Sequence, residues 1–261
     1  MRSIPRVAIL GNPNCGKTAV FNLLTGLNQK VSNYPGITVE KKVAEVNLSK
    51  NSSYYLEDYP GSYSMLSQSM DEDIVTHNIY RWIRQPKLKP SAIIYVLDAN
   101  NIRRNLYFSS QLLELGIPVI VLVNMFDILS DDNKLDYIKL KEEFGVHSVI
   151  PFSAVKKKGM KTLNNSLSDI FNNKIKTNHN MLNISKEIQE IISPIKKSIN
   201  EVFNIDDSLA NILSFRLLCN PEHLSKIELN KIDSQNIEDK INKVESSIDI
   251  DDLDDTLEDL S

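Results

Sequence analysis

The feature that most constrains the fold is a glycine-rich turn near the amino terminus. It consists of Gly11, Asn12, Pro13, Asn14, Cys15, Gly16, Lys17 and Thr18. The turn follows a short apolar run and precedes a helical pattern, which is the context of a phosphate-binding loop. Backbone N–H groups in such a loop, together with the helix N-terminus, provide partial positive charge for phosphate oxygens. The pattern therefore predicts a strand, a phosphate loop and a helix in direct succession.

The region from residue 6 to about 170 alternates β-rich runs with helical patterns, which is typical of a mostly parallel sheet covered by helices. The six predicted strands are Val7–Leu10, Lys42–Leu48, Ser53–Glu57, Ala92–Leu97, Val119–Val123 and Ser148–Phe152. The predicted helices among them are Lys17–Leu24, Asp73–Ile83, Leu106–Leu115 and Leu135–Phe144. The runs at 92–97 and 119–123 are continuously apolar, which indicates central strands buried on both faces.

The pattern changes after about Phe171, where strand signals cease and only helical periods follow. These periods are Ile184–Ile199, Leu209–Cys219 and Lys226–Ile248. We therefore predict two domains, residues 1–170 and residues 171–261, of which the second is all-helical. Residues 249–259 are strongly acidic, and their simplest interpretation is a solvated end.

The composition, with 41% hydrophobic and 25% charged residues, is ordinary for a globular protein and argues against wholesale disorder. The formal charge of -4 gives no reason to expect a nucleic acid partner, because proteins that bind nucleic acids usually present a basic face. The apolar stretches are far shorter than the ~20 residues that span a bilayer. The sequence therefore predicts a cytosolic, soluble chain.

The two cysteines, Cys15 and Cys219, lie far apart and show no metal-ligand spacing with the histidines, which favours a reducing compartment. Cys15 lies among the N–H groups of the predicted phosphate loop, a setting that can lower the pKa of a thiol. Two interpretations stay open for Cys15: a redox-sensing thiol, or a small side chain that the loop tolerates.

Two segments contain groups that could act on a bound nucleotide. Lys17 is predicted to bridge its β- and γ-phosphates, and the Thr18 hydroxyl is predicted to bind Mg²⁺. Asp58 follows the predicted strand at 53–57, so its carboxylate would lie beside the same Mg²⁺. Gly61 would place an N–H near the γ-phosphate. Taken alone, the stretch at 58–61 could also be an ordinary Asp-x-Pro-Gly turn.

A polar loop at residues 33–40 lies between these segments. The hydroxyl of Thr38 is its candidate ligand for Mg²⁺ and the γ-phosphate, and Gly36 and Ile37 are expected to contact the same phosphate. Loops that become ordered around a γ-phosphate are a recurring basis of nucleotide switches.

Recognition of a base is predicted at the ends of two later strands. Asn124, Met125 and Asp127 follow the apolar run at 119–123, at the edge where α/β sheets bind ligands. The Asp127 carboxylate can accept two hydrogen bonds from guanine N1–H and N2–H₂, a donor pair that adenine lacks. A backbone N–H near the guanine O6 is expected from the loop that follows the last strand. The residues of that loop are Ser153, Ala154 and Val155.

These five motifs are those of the GTPase superfamily, and their details resemble the cytosolic G domain of the bacterial ferrous iron transport protein B family. The matching segments are Gly-Asn-Pro-Asn-x-Gly-Lys-Thr at 11–18, Asn-Tyr-Pro-Gly-x-Thr-Val-Glu at 33–40, Asp-x-Pro-Gly-x-Tyr-Ser at 58–64, Asn-Met-x-Asp at 124–127, and the stretches at 104–107 and 111–119. The likeness is strong from Arg6 to about Ala154 and weaker beyond.

The resemblance implies a Ras-like P-loop GTPase fold, bound GTP or GDP with Mg²⁺, and a helical regulatory subdomain. It also implies a K⁺ ion beside the phosphates, which Asn14 helps to coordinate and which stimulates hydrolysis. On this basis the catalytic set is Lys17, Thr38, Gly61 and Asn14. The family further implies a membrane-spanning transport half, which this sequence lacks, and a location at the cytoplasmic face of the bacterial inner membrane. Self-association is left open.

Two departures modify these expectations. Ser62 occupies the position at which Ras-like enzymes place a water-orienting glutamine, which predicts slow hydrolysis. Met125 replaces the lysine that commonly covers the guanine plane, which predicts weaker base binding and faster GDP release. Two alternatives to the transporter domain remain: a GTP sensor with negligible turnover that acts through its helices, and a stand-alone GTPase of tRNA modification or ribosome assembly.

Overall fold

The computed structural model describes residues 4–34, 40–65, 70–128, 135–172, 184–227 and 229–247. The chain divides into two units, Met1–Met181 and Leu182–Ser261. The domain boundary expected between residues 170 and 171 stays a prediction, because the connecting residues 173–183 lie outside the described part. The acidic stretch at 249–259 lies outside it as well.

The first unit is built on a seven-stranded, mostly parallel sheet with the strand order β2-β3-β4-β1-β5-β6-β7. The strands are β1 Arg6–Gly11, β2 Lys30–Asn33, β3 Glu40–Ser49, β4 Ser52–Asp58, β5 Ala92–Asp98, β6 Val119–Asn124 and β7 Ser148–Pro151. Strands β4, β1, β5, β6 and β7 run parallel, and β2 and β3 are antiparallel to their neighbours. This architecture confirms the predicted fold class.

The sheet has one strand more than the six predicted. Strand β2 was missed because all four of its residues are exposed, so it has no buried face to produce an alternating pattern. It is held instead by antiparallel pairing with β3, from Lys30 opposite Val43 to Asn33 opposite Glu40. Backbone hydrogen bonds, which leave no trace in hydrophobic periodicity, therefore define this strand.

Five α-helices accompany the sheet in the described part of the first unit. They are α1 Lys17–Thr25, α2 Met70–Arg84, α3 Ile102–Leu113, α4 Tyr137–Phe144 and α5 Met160–Phe171. Helix α5 was not predicted, although its buried residues Leu163, Leu167 and Ile170 recur at helical spacing. The predicted helical patterns before residue 145 each coincide with one of the other four.

Strands β5 and β6 form the centre of the core, as their apolar sequences predicted. Residues 92–97 and 119–124 are buried throughout, because helices cover both faces of a parallel sheet. The parallel arrangement brings the carboxyl ends of neighbouring strands together: Gly11 lies opposite Val96, and Asp98 lies opposite Asn124. The polar residues that follow these strands therefore meet at one edge of the sheet.

The described part of the second unit consists of helices α6 Lys186–Val202, α7 Asp207–Cys219 and α8 Lys231–Glu245, with a 3-10 helix at Pro221–Lys226. Ser185, Asp206 and Asn230 cap the three α-helices by accepting backbone N–H groups, as short polar side chains do at helix starts. Helix α6 packs against both α7 and α8. Among the described residues, no helix combines the length and apolarity needed to cross a membrane.

Candidate functional site

The loop between β1 and α1 is shaped by two residues in the left-handed backbone conformation. Asn14 has φ 65° and Gly16 has φ 82°, and Gly16 directly precedes the first helical residue, Lys17. Asn12 and Cys15 are buried beneath the loop, whereas Pro13, Asn14 and Thr18 are exposed. The loop therefore presents its outer residues and the N-terminus of α1 on one side, as phosphate binding requires.

Gly16 cannot be replaced by a larger residue without displacing the base-recognition motif. A Cβ atom at this position would lie 2.4 Å from Nδ2 of Asn124 and 3.1 Å from the Met125 methyl carbon. Both distances are too short for ordinary van der Waals contact. The second glycine of the phosphate loop is thus required by a packing contact as well as by its backbone angle.

Asn124 joins the phosphate loop to the loop that follows β7. Its Nδ2 donates a hydrogen bond to the carbonyl oxygen of Cys15 at 3.0 Å, and its Oδ1 accepts one from the Ala154 N–H at 3.2 Å. The side chain is buried, so both contacts are shielded from water and loss of either would leave a buried polar group unpaired. The Ala154 N–H, one candidate donor to a guanine O6, is used in this bond.

The structure brings Lys17 and Asp58 into direct contact. The Lys17 ammonium lies 2.5 Å from Oδ1 of Asp58, and both side chains are almost fully buried. Lys17 occupies the first position of α1, immediately before Thr18. The Asp58 carboxylate and the Thr18 hydroxyl are oxygen donors of the type that Mg²⁺ prefers, so this chemistry fits that cofactor. Gly36, Ile37 and Thr38 lie outside the described residues.

The segment after Asp58 lies against the phosphate loop. The Ser62 N–H donates to the Gly11 carbonyl oxygen at 3.2 Å, and a Cβ on Gly61 would lie 3.0 Å from the Cα of Pro13. The Ser62 side chain is buried and its hydroxyl donates to the carbonyl oxygen of Ser64 at 2.6 Å. Its hydroxyl is thus engaged within its own segment.

The base end of the site contains a charged pair that sequence analysis missed. Oδ2 of Asp127 lies 3.1 Å from the Lys156 ammonium, with exposed side-chain fractions of 12% and 54%. Hydrogen bonds from Ser153 and Lys156 hold the pKa of Asp127 below its ordinary value, so the carboxylate is ionised at neutral pH. Met125, between Asn124 and Asp127, adopts the left-handed conformation with φ 62°. Nothing in the motif itself indicates the lysine partner, because Lys156 belongs to a different loop.

Residues 153–158 form a closed loop after β7. Ser153 and Lys158 exchange backbone hydrogen bonds at 3.3 and 3.1 Å, and the Ser153 hydroxyl accepts the Lys156 N–H at 3.1 Å. Val155 lies at the tip with 88% of its surface exposed. The loop is therefore held by its own backbone, while residues 155–158 remain exposed.

Of the two interpretations left open for Cys15, the structure favours a small side chain that the loop tolerates. The thiol is buried, and burial raises its pKa to about 11, although a backbone hydrogen bond at Lys17 and the Lys17 charge act in the opposite direction. Desolvation disfavours the thiolate more than the loop stabilises it. Cys15 is thus a neutral packing residue at neutral pH, which argues against a redox-sensing thiol.

Tyr95 was missed as a support of the phosphate loop. Its hydroxyl lies 2.8 Å from Oδ1 of Asn12 and 2.7 Å from the carbonyl oxygen of Asn105, and all three residues are buried. It therefore links the loop to the first turn of α3. One signal was present in the sequence: a single tyrosine in the otherwise aliphatic run at 92–97, where a buried hydroxyl needs a partner.

Behind Asp58, the preceding residue Glu57 anchors β4 to β1. Arg6 donates from Nε and Nη2 to the two carboxylate oxygens of Glu57 at 2.9 and 2.8 Å, and the Tyr59 hydroxyl adds a bond at 3.0 Å. Burial alone would raise the pKa of Glu57, but the bonds from Arg6 and Tyr59 and the charge of Lys41 outweigh it and lower the pKa. This network fixes the strand that ends in Asp58.

Three features define the class of protein. A phosphate loop lies between a strand and a helix, its lysine pairs with the aspartate of the adjacent strand, and an Asn-x-x-Asp motif bonds the phosphate loop and the loop after β7. The first unit has the P-loop GTPase fold, which supports GTP binding.

Comparison with known proteins identifies the family. The chain belongs to the ferrous iron transport protein B family, whose model matches residues 5–167. The Fe(2+) transporter FeoB of Legionella pneumophila (strain Lens) is 43% identical over 164 residues, which cover 61% of this chain and 21% of the relative. The Fe(2+) transporter FeoB of Escherichia coli (strain K12) is 34% identical over 212 residues, which cover 79% and 24%.

Solved structures agree with this assignment. The cytosolic domain of L. pneumophila FeoB is 34% identical, with a TM-score of 0.70 over 92% of this chain and 96% of that one. A mutant S. thermophilus NFeoB bound to GDP is 30% identical, with a TM-score of 0.74 over 94% and 90%. The matched parts span between a fifth and a quarter of the full-length relatives. The family match leaves no observation that favours a stand-alone GTPase of tRNA modification or ribosome assembly.

Proposed function

We propose that this chain is the GTP-binding and slowly GTP-hydrolysing regulatory part of a membrane ferrous iron transporter, with hydrolysis stimulated by K⁺. The observation that most supports it is the position of Asn124, whose amide bonds the phosphate loop and the Ala154 loop. One side chain thereby connects the phosphate site to the base site and fixes their separation.

Guanine specificity is assigned to Asp127. Its pKa is lowered by Ser153 and Lys156, so it is a carboxylate that can accept two N–H groups from guanine. Adenine offers no such donor pair, so it would leave the Asp127 carboxylate without hydrogen bonds from the base. Of the backbone N–H groups at 153–155, that of Val155 is assigned to the guanine O6, because those of Ser153 and Ala154 donate to Lys158 and Asn124.

Hydrolysis is assigned to groups around the Lys17–Asp58 pair. Lys17 would bind the β- and γ-phosphates, while Thr18, Asp58 and Thr38 would hold Mg²⁺, which neutralises charge on the phosphate oxygens when bound. Gly61 would donate its N–H to the γ-phosphate. Asn14 is assigned to K⁺, whose charge would add to that of Lys17. The Ser62 hydroxyl donates to the carbonyl oxygen of Ser64, which supports slow turnover because serine replaces the water-orienting glutamine and its hydroxyl proton is already engaged.

The relatives are named Fe(2+) transporters and are much longer than this chain. We therefore assign the chain to the cytoplasmic face of the bacterial inner membrane, as a partner of a membrane-spanning transport half. The helical second unit would pass the nucleotide state to that half.

The decisive experiment measures phosphate release from GTP in KCl and in NaCl for the wild type, Asn14→Ala and Asn14→Gly. The glycine variant removes the amide while tolerating the left-handed φ of 65°, so it separates the side chain from backbone strain. Faster release in KCl that both variants abolish is expected. Equal wild-type rates in the two salts would refute the K⁺ role.

The buried, bonded hydroxyl of Ser62 also favours a second candidate, a GTP sensor with negligible turnover. The same experiment distinguishes the two, because a sensor would bind GTP yet release no phosphate in either salt. Asp127→Asn tests the base site: it should weaken GTP binding and admit xanthine nucleotides. Retained GTP affinity would show that Asp127 does not read the base.

A further inference from the structure

The closed loop at 153–158 places three consecutive lysines beside the base-recognition motif. The Lys156 ammonium reaches Oδ2 of Asp127 at 3.1 Å. Lys158 instead lies over the ring of Phe126, 5.7 Å from its centroid. Lys157 is exposed and adopts the left-handed conformation with φ 53°. Lys156 thus contacts the carboxylate that we assign to guanine, Lys158 contacts Phe126, and Lys157 is exposed.

The position of Lys156 is fixed by the backbone of the loop. Ser153 and Lys158 exchange two backbone hydrogen bonds, and the Lys156 N–H donates to the Ser153 hydroxyl at 3.1 Å. The loop is therefore closed on both sides of Lys156, whereas 54% of its side chain remains exposed. The ammonium is held close to Asp127 but retains enough freedom to leave it.

A guanine base requires both carboxylate oxygens of Asp127, one for N1–H and one for the 2-amino group. We infer that Lys156 is a built-in competitor for Asp127, a specificity-determining residue that occupies one carboxylate oxygen and must yield it when a guanine nucleotide binds. The inference rests on the proposed function, since it assumes that Asp127 reads the base. Lys156 thus lowers the affinity for GDP and speeds its release.

Inosine nucleotides provide a specific readout because hypoxanthine lacks the 2-amino group. Such a base needs only one oxygen of Asp127 and can bind while Lys156 keeps the other. Lys156 therefore reduces the preference for GDP over IDP. A residue that merely stabilised the loop would change the affinities for GDP and IDP by the same factor.

The test compares Lys156→Met with Lys157→Met, which removes the adjacent exposed lysine while leaving the ion pair between Lys156 and Asp127 in place. Release rates and equilibrium affinities of fluorescent GDP and IDP are measured for both variants and the wild type. Lys156→Met should slow GDP release about two- to fivefold, the range of a solvent-accessible ion pair, and raise the GDP/IDP preference by a similar factor. Lys157→Met should match the wild type.

Two results would overturn the inference: equal behaviour of the two lysine variants, or faster GDP release from Lys156→Met, which would mean that Lys156 holds Asp127 in place for the base. Asp127→Ala separates this failure from failure of the proposed base site. If Asp127→Ala loses guanine affinity while Lys156→Met has no effect, only the competitor role is wrong. If Asp127→Ala keeps its guanine preference, both assignments are wrong.

Discussion

The two ends of the candidate site are built in different ways. The phosphate loop is defined by backbone angles and by buried neighbours: Gly16 lies against Asn124, and Cys15 and Asn12 are covered. The base end depends on side chains that reach water, with Val155 88% exposed. The difference teaches that phosphate binding tolerates little change in sequence, whereas base recognition can be adjusted by single side chains. Four predictions test this contrast, from the largest expected effect to the smallest.

Gly16→Ala should have the largest effect. The added methyl group would lie 2.4 Å from Asn124 Nδ2, and alanine also adopts the left-handed conformation unfavourably, at about 1–2 kcal/mol. We expect GDP affinity to fall on the order of 100-fold, or about 3 kcal/mol, in titrations with fluorescent GDP.

Gly26→Ala is the matched control. Gly26 has a similar φ of 59°, but a Cβ added to it would have no neighbouring atom of the described residues within 4 Å. The variant should show the conformational cost alone, about 1–2 kcal/mol of stability, with normal GDP affinity. Similar affinities for the two variants would contradict the packing role of Asn124 at the phosphate loop.

Asn124→Ala should come second. It removes both hydrogen bonds of a buried amide and leaves the Cys15 carbonyl and the Ala154 N–H without this partner, at a total cost of about 2 kcal/mol because Ala154 is only half-buried. Fluorescent GDP titration and thermal unfolding measure the two effects. Asn78→Ala, which truncates another buried asparagine whose amide bonds within α2, should lower stability but leave GDP affinity intact. If both variants bound GDP equally well, Asn124 would not join the two ends.

Tyr95→Phe tests the support beneath the phosphate loop. Loss of the hydroxyl between Asn12 and Asn105 should lower the free energy of unfolding by about 1–2 kcal/mol. Tyr54→Phe is its control, because Tyr54 is equally buried but its hydroxyl has no hydrogen-bond partner in the described residues. That change should be neutral or stabilising in urea denaturation. Equal losses in both variants would mean that the Tyr95 bonds contribute nothing specific.

The smallest effect concerns the thiol of Cys15. Its pKa, raised by burial to about 11, means that about a thousandth of the folded protein holds a thiolate at pH 8. In a Cys219→Ala background, iodoacetamide should therefore modify Cys15 far more slowly in the folded protein than in urea.

The sign of the pH effect follows from the same shift. Because the folded pKa of Cys15 exceeds the ordinary value of 9.0, the stabilising contribution is complete below pH 9.0 and is lost as the pH rises towards about 11. A Cys15→Ala variant should lose less stability over this range. Rapid alkylation of folded protein at pH 8 would restore the idea of a reactive thiol in the phosphate loop.

Much of the fold could be predicted because burial leaves a pattern in the sequence. The continuous apolar runs of β5 and β6 indicated central strands, and the Gly-rich turn was recognisable between β1 and α1. Strand β2 could not be found in this way, since Lys30–Asn33 is exposed throughout and exists through its pairing with β3. The apolar residues of α5 recur at helical spacing, so this helix could have been predicted but was not.

In the candidate site, too, features with a local sequence pattern could be predicted and contacts between distant segments could not. Residue types and spacing identified the groups around the phosphate loop and Asp127. Contacts between distant segments could not be predicted, because no local pattern encodes them: Lys156 contacts Asp127 from another loop, and Tyr95 of β5 bonds Asn12, which directly follows β1. The role of Cys15 stayed open at the level of sequence, which showed the N–H groups nearby but not the burial that outweighs them.

The amide of Asn124 also makes the two ends of the site thermodynamically dependent on each other. Since one side chain bonds both Cys15 and Ala154, substitutions in the loops at 11–18 and 153–158 should not have additive free energies. This coupling must be reciprocal. If a ligand on the phosphate loop changes the affinity for the base by some factor, a ligand in the base site changes the affinity for the phosphates by the same factor. A substitution that weakens the coupling therefore lowers the cooperativity of binding equally at both ends of the site.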